Sequence, residues 1–154
     1  MQVIGIRASA QEVRYAILEK DATGQIVFRN QNEEHCLRYP STAQEVGDKL
    51  LWVKREFERI FRQNFNIDTA IIKINEFDGT ENNAKRETSY VDAIIFLICT
   101  ELCIPIHKKL YSQICTTSRQ TKEHAEQRVG KTDKYWNKTI ADAINCAFWE
   151  IREA

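Results

Sequence analysis

The hydrophobic pattern changes period part-way along the chain, and this change constrains the fold more than any other feature. The first run, QVIGI, is apolar almost throughout and fits a buried strand. In EVRYAILEK, Val13, Tyr15 and Ile17 recur at period two, the turn signal DATG follows, and QIVFRN makes a third short run. These three segments predict an antiparallel meander. In YPSTAQEVGDKLLWVKREFERIFRQNF the spacing becomes helical. Val46, Leu50, Val53, Phe57 and Phe61 form one face, and Lys54, Arg55, Glu58 and Arg62 are left for solvent. Ser41 with Gln44, or Thr42 with Glu45, fits a capping box at the start of that helix.

Strand and helix alternate from there. DTAIIKIN reads as a fourth strand, EFDGTENNAKRET as a polar loop, and SYVDAIIFLICTEL as a helix buried against the sheet. IPIHKKLYSQIC reads as a fifth strand with a polar end. A short polar helix, a loop around Gly130 and a final helix follow, with Ile140, Ile144, Ala147, Phe148 and Ile151 on one face of the last. The order β-β-β-α-β-α-β-α-α predicts an α/β fold. Its sheet is five-stranded and mixed, with three antiparallel strands first and helices on both faces.

The 154 residues fit one domain, 1–154, and can bury a sizeable core. Lys plus Arg equals Asp plus Glu at 22 each, so net charge names no partner, and nucleic-acid binding would need a local basic face. The longest apolar stretch, AIIFLIC, is far too short for a bilayer, and the opening residues carry no secretory pattern. No membrane partner is expected. Five cysteines, an odd number in core-like surroundings, suggest reduced thiols and a cytoplasmic location. The chain has neither a Gly-rich phosphate loop nor a dinucleotide fingerprint, which argues against nucleotide hydrolysis.

The segments IGIRAS with its hairpin, AIIKINEF, DAIIFLI, IPIHKKLYSQI and IADAINCAF occur in an order that resembles the ribonuclease H-like fold. They are most similar to its RuvC-type branch, the Holliday-junction resolvases and their short bacterial relatives. The resemblance implies a nuclease in which carboxylates from the first strand, the fourth strand and the last helix hold two divalent cations. Those cations activate water and stabilise the leaving oxygen of a phosphodiester. Mg²⁺ requires oxygen ligands, so a cationic side chain cannot replace a carboxylate there.

This chain departs from that pattern at the positions that carry the chemistry. Arg7 stands at the first-strand position. The fourth-strand position falls on Lys73, or on Ile74 if the match is anchored at Phe77. The last helix keeps Asp142 but has Thr139 one turn earlier. The expectation is a remnant site in which Arg7, Lys73 and Asp142 share one small cleft. Arg7 would pair with Asp142 in a two-pronged ion pair, and the net positive pocket could hold a phosphate.

Other constellations have plainer explanations beside the functional ones. Glu76, Asp78 and Glu81 could rebuild a metal site with Asp142, although acidic loop residues are usually just solvated. Asp92 lies in an apolar helix, where an unpaired carboxylate is costly, and a place near the helix start would satisfy it. Cys99, Cys103, His107 and Cys115 hint at zinc but fit buried thiols better, because a strand carries the last two away. His35 and His124 read as surface residues.

Lys108, Lys109, Arg119, Lys122, Arg128, Lys131, Lys134 and Lys138 make the C-terminal third the most basic region. With Tyr111, Tyr135 and Trp136 nearby, they form a candidate nucleic-acid face. The alternative is a solvated helix surface, with Trp136 and Trp149 as anchors for a protein interface. The sequence therefore leaves three functions open. The favoured one is a catalytically degenerate RuvC-like protein that binds DNA or RNA or acts as a scaffold, with no cofactor and no assigned catalytic residue. The second is a nuclease with relocated carboxylates that would use Mg²⁺ or Mn²⁺. The third is a protein-interaction module, with a homodimer as its candidate form.

Overall fold

The computed structural model describes residues 1–154 as a mixed sheet with α-helices on both faces. Strand β1 (Gln2–Ala8) pairs antiparallel with β2 (Glu12–Lys20). The outer edge of β2 pairs with two short strands, β3 (Ile26–Phe28) at one end and β4 (Cys36–Arg38) at the other. On its other side β1 pairs parallel with β5 (Ile67–Lys73), which pairs parallel with β6 (Ile106–Lys109). The helices are α1 (Val46–Gln63), α2 (Asn83–Glu101), α3 (Thr121–Arg128) and α4 (Lys138–Glu153).

The sheet has six strands, one more than the sequence predicts. The extra strand exists because the partner of β2 is interrupted after Phe28. At the break, the Asn30 side chain accepts from the Ile17 N–H at 2.7 Å and donates to the Tyr15 carbonyl at 3.2 Å. One amide thus satisfies the ladder positions that the backbone leaves, and β4 resumes the pairing at Cys36.

Three other boundaries differ from expectation. The fifth predicted strand stops at Lys109, and Tyr111–Ile114 turns into a 3₁₀ segment whose cap, Cys115, has φ of 49°. α2 begins at Asn83, because the Asn82 side chain accepts from the Lys85 N–H at 2.9 Å and caps a polar first turn. α1 follows Glu45 without a side-chain cap, so neither candidate capping box forms.

The alternation along β1 divides the core in two. Ile4 and Ile6 point towards α1 and α2, where Phe57, Ile60, Ile95 and Ile98 complete one cluster. Val3 points the other way, where Ile71 of β5 joins Ile140, Ile144 and Ile151 of α4. Gly5 and Arg7 lie on the same side of β1 as Val3.

Gly5 is what lets α4 lie against β1. An added Cβ there would sit 1.9 Å from the Ala143 carbonyl oxygen and 2.9 Å from the Ala147 Cβ. Backbone cannot yield as a side-chain tip can, so the whole helix would have to move. Gly5→Ala should therefore cost about 3 kcal/mol or more, at the upper end for overpacking. Gly47→Ala, in open space on α1, should be neutral or slightly stabilising. Thermal melts of the two variants check this, and equal melting temperatures would remove the claim.

Candidate functional site

β1 and β5 run side by side, so Arg7 and Lys73 emerge at the same end of the sheet, beneath α4. The Arg7 guanidinium donates to the Lys73 carbonyl at 3.0 Å, which ties the two strand ends together. From α4, Asp142 approaches with Oδ2 3.4 Å from Arg7 Nε. Arg7, Lys73 and Asp142 thus meet in one place. Thr139, in the first turn of α4, is half-buried.

The ion pair is not two-pronged. Asp142 accepts from the Thr121 hydroxyl at 2.8 Å and from the Tyr111 hydroxyl at 3.0 and 3.1 Å, and these contacts share its oxygens with Arg7. Burial raises the Asp142 carboxyl above its usual range, while Arg7 and the two hydroxyls oppose that rise. The two-pronged pair of this region lies elsewhere. Buried Arg14 donates to both Glu12 oxygens, at 2.9 and 3.2 Å, and to the Tyr135 carbonyl. Glu12 and Arg14 are two apart on one strand, hence on one face, and that spacing is the sequence signal for this pair.

Lys73 is fully buried. Its ammonium lies 2.9 Å from Glu76 Oε1 and 3.9 Å from the centre of the Tyr111 ring, so a carboxylate and an aromatic face enclose it. Burial lowers its pKa, and Arg7 adds to the effect while Glu76 resists it. Against the cost of its own burial, the Tyr111 N–H and the Lys73 ammonium hold Glu76 below the usual carboxylate range. Each cation has its own carboxylate, so the expected net positive pocket is absent.

These residues do not fit a pair of divalent cations. Glu76 is spent on Lys73 and the Tyr111 amide, Asp78 pairs with Lys85, and Glu81 pairs with Arg86. No three His, Cys, Asp or Glu side chains converge as a ligand set, neither around Glu76, Asp78, Glu81 and Asp142 nor around Cys99, Cys103, His107 and Cys115. All five cysteines are free, and Cys103 and Cys115 are exposed rather than buried.

Asp92 belongs to this region and is the residue the sequence misplaces. Because α2 starts at Asn83, Asp92 lies mid-helix, out of reach of the free N–H groups. It is 7% exposed, and its Oδ1 has no hydrogen-bond partner. Burial pushes its carboxyl up to about 7, and Arg7 and Lys73 pull the other way. Asp92 lines a cleft of about 590 Å³ between α2 and the segment after β5, along with Glu76, Phe77, Phe96 and Lys108. Phe77 stands at its rim, 79% exposed.

No family model matches the sequence, and no curated protein matches it. Solved structures do match the fold. Thermus thermophilus RuvC in complex with a Holliday junction substrate aligns with a TM-score of 0.75 at 12% identity, over 97% of this chain and 92% of that one. The fold is that of the RuvC-type resolvases. The fowlpox virus Holliday junction resolvase aligns at 0.59 and 14% identity over 99% of each chain. The yeast mitochondrial resolvase Ydc2 aligns at 0.58 and 11%, over 97% of this chain and 78% of that one.

On this RuvC-like frame the basic residues divide. Arg128 is structural, donating to Asn145 Oδ1 and to the Ile114 and Cys115 carbonyls. Lys131 pairs with Glu126, and Lys109 is half-buried. Lys108, Arg119, Lys122, Lys134 and Lys138 are exposed. The Lys138 ammonium bonds the Ser118 hydroxyl, which brings Arg119 and Lys138 to one corner, and Lys122 follows the Thr121 that bonds Asp142. The aromatic residues mostly have other duties. Tyr111 serves the site, the Tyr135 ring is flanked by Arg14 and Arg38, and Trp136 and Trp149 pack on the α4 core. His35 is buried with Nδ1 unpaired, and His124 bonds the Thr116 hydroxyl at 2.8 Å, so neither is a plain surface residue.

Two predictions follow from these charges. Asp142→Ala should cost about 2–4 kcal/mol, below the fully buried limit because Arg7 keeps 17% of its side chain in solvent. Arg7→Leu with Asp142→Leu should recover only part of that, since the Tyr111 and Thr121 hydroxyls stay unpaired. A merely additive double variant, measured by denaturant unfolding, would reject the coupling.

The second concerns pH. Folded Asp92 keeps a proton that the unfolded chain releases, between 3.8 and about 7. Its contribution is therefore full below the lower value and lost as pH rises through the higher one. At about 1.4 kcal/mol per pH unit, the loss is on the order of 4 kcal/mol. The melting temperature of wild type should fall relative to Asp92→Asn from pH 4 to pH 7.5. A constant offset between the two would contradict this.

Proposed function

We propose that this protein is a catalytically degenerate RuvC-like protein that binds nucleic acid. The observation that carries the reading is the Lys73 ammonium, fully buried between Glu76 and the Tyr111 ring and next to the Arg7–Asp142 pair. Two organic cations hold the carboxylates that metal-dependent phosphodiester cleavage would need, and both repel a divalent ion. Hydrogen bonds and packing keep these cations in place, so a metal would have to displace buried, paired groups.

The binding half of the reading rests on the surface around that site. Lys122 follows the Thr121 that bonds Asp142, and Lys138 lies one turn before Asp142 on α4 and bonds Ser118 beside Arg119. Lys108 lines the neighbouring cleft, and Phe77 presents an open ring at its rim. Cations beside an exposed aromatic suit a phosphate backbone with an unstacked base. The fold neighbours include resolvases whose structures contain Holliday junction DNA.

One observation favours the interaction-module reading as a second choice. Tyr90, Ala93 and Leu97 put an apolar strip on the solvent side of α2, with exposed Leu51 on α1, against which α2 packs. A second copy of the chain could cover that strip.

One set of measurements tests these readings. With Mg²⁺ or Mn²⁺, the purified protein should leave a four-way junction, duplex DNA and an RNA–DNA hybrid intact. It should bind at least one of them with an affinity that falls steeply with salt. Lys122→Glu with Lys138→Glu should weaken binding and flatten the salt dependence by roughly one for each lost phosphate contact. Metal-dependent cleavage abolished by Asp142→Asn would overturn the degenerate reading. Absence of any binding, together with a dimer in sedimentation, would put the interaction module in its place.

A further inference from the structure

Asp92 has no evident role in holding the fold. It sits in the middle of α2, nine-tenths buried, with one oxygen lacking any partner, and it forms part of the wall of a cleft of about 590 Å³. A buried carboxylate without hydrogen bonds is costly, and an apolar residue would serve the helix better. The charged groups nearby are already matched, Lys73 to Glu76 and Lys85 to Asp78. What Asp92 lacks is a hydrogen-bond donor, and the cleft it lines is large enough to admit one.

The rest of the wall narrows the class of that donor. Phe96 supplies an aromatic surface on the same helix, and Phe77 stands at the mouth. Lys108 lies at the β6 side and forms no ion pair with any acidic side chain, so it is free to meet an anion. An acceptor deep in the wall, flat apolar surfaces and a cation nearer the solvent together match a nucleotide. The amino group of its base would donate to Asp92, the ring would lie along phenylalanine, and the phosphate would face Lys108. A simple amine would leave the aromatic surfaces and Lys108 unused, and a bare phosphate would be repelled by Asp92.

We infer that this cleft takes an unpaired, amino-bearing nucleobase from a bound strand, with Asp92 as the residue that reads it. The inference rests on the nucleic-acid reading above and adds to it a base preference and the residue responsible. Cytosine carries an exocyclic amino group where thymine carries a carbonyl oxygen, so the two pyrimidines differ at the atom that Asp92 would meet. The carboxylate accepts from the first and repels the second.

The experiment compares labelled dC12 and dT12 oligonucleotides by fluorescence anisotropy at pH 8, where the Asp92 carboxyl is ionised, with wild type, Asp92→Ala, Asp92→Asn and Lys122→Glu. Wild type should favour dC12 by roughly fivefold or more, the scale of one good base-edge contact. Asp92→Ala should remove the preference, with dC12 losing affinity and dT12 gaining some until the two bind equally, and Asp92→Asn should narrow the preference. Lys122→Glu should weaken both oligonucleotides by the same factor. Melting curves guard against misfolding, since removing an unpartnered buried carboxylate should not lower the melting temperature at pH 7.5. Equal binding of the two oligonucleotides by wild type, or a preference that survives Asp92→Ala, would overturn the base site and leave the nucleic-acid reading standing. Failure of wild type to bind either oligonucleotide or any branched or duplex substrate would overturn both.

Discussion

The missing Cβ at Gly5 sets how closely α4 approaches the sheet, and this distance decides which side chains can meet at the ends of β1 and β5. Ala143 and Ala147 lie directly over Gly5. Asp142 precedes Ala143, and Arg7 is the next residue on the same side of β1, so their encounter is a geometric result of that packing. A helix held farther out would leave Arg7 without its carboxylate and Lys73 without its aromatic cover, because Tyr111 is itself fixed by Asp142. The charged site and the second core are products of one close approach.

Charge matching explains why such a site can exist at all. Two buried cations with no carboxylate nearby would be prohibitive, and two buried carboxylates scarcely less so. Here each cation has a carboxylate, and Tyr111 links the two pairs, its hydroxyl bonding Asp142 and its backbone N–H bonding Glu76. In a RuvC-type fold this end of the sheet is where catalytic carboxylates are expected. In this chain that end of the sheet holds the Arg7–Asp142 and Lys73–Glu76 salt bridges. Asp92, approaching from the opposite layer, is outside that balance, and this imbalance sets it apart from Asp142, the other buried acid.

How much of this the sequence discloses depends on the range of the interaction. The period change announces the meander, α1 and the apolar face of α4, because each is a local pattern repeated over several residues. β4 is hidden because it is three residues long and depends on Asn30, whose side-chain bonding has no periodic signature. The early start of α2 is hidden too, since Asn83–Ser89 is polar and only the Asn82 cap declares a helix. That error propagates directly to Asp92, which looks satisfied if the helix is thought to begin later. Arg7 and Asp142 are legible through a family frame, whereas Thr121 and Tyr111 are not, because a hydroxyl in a loop or a short helix gives no hint of which carboxylate it will reach.

The parts of this site are spread along the chain, with Asp142 following Arg7 by 135 positions (142 − 7) and Lys73 lying roughly midway. Parallel pairing of β1 with β5 can bring the two cations together as soon as the first half has been synthesised, and Glu76 is then already present for Lys73, but the carboxylate of Arg7, on α4, has not yet been made. Until α4 docks, one face of the nascent sheet shows uncovered isoleucine and valine beside an uncompensated positive charge. The docking of α4 is thus a single late event that both seals the core and neutralises the charge.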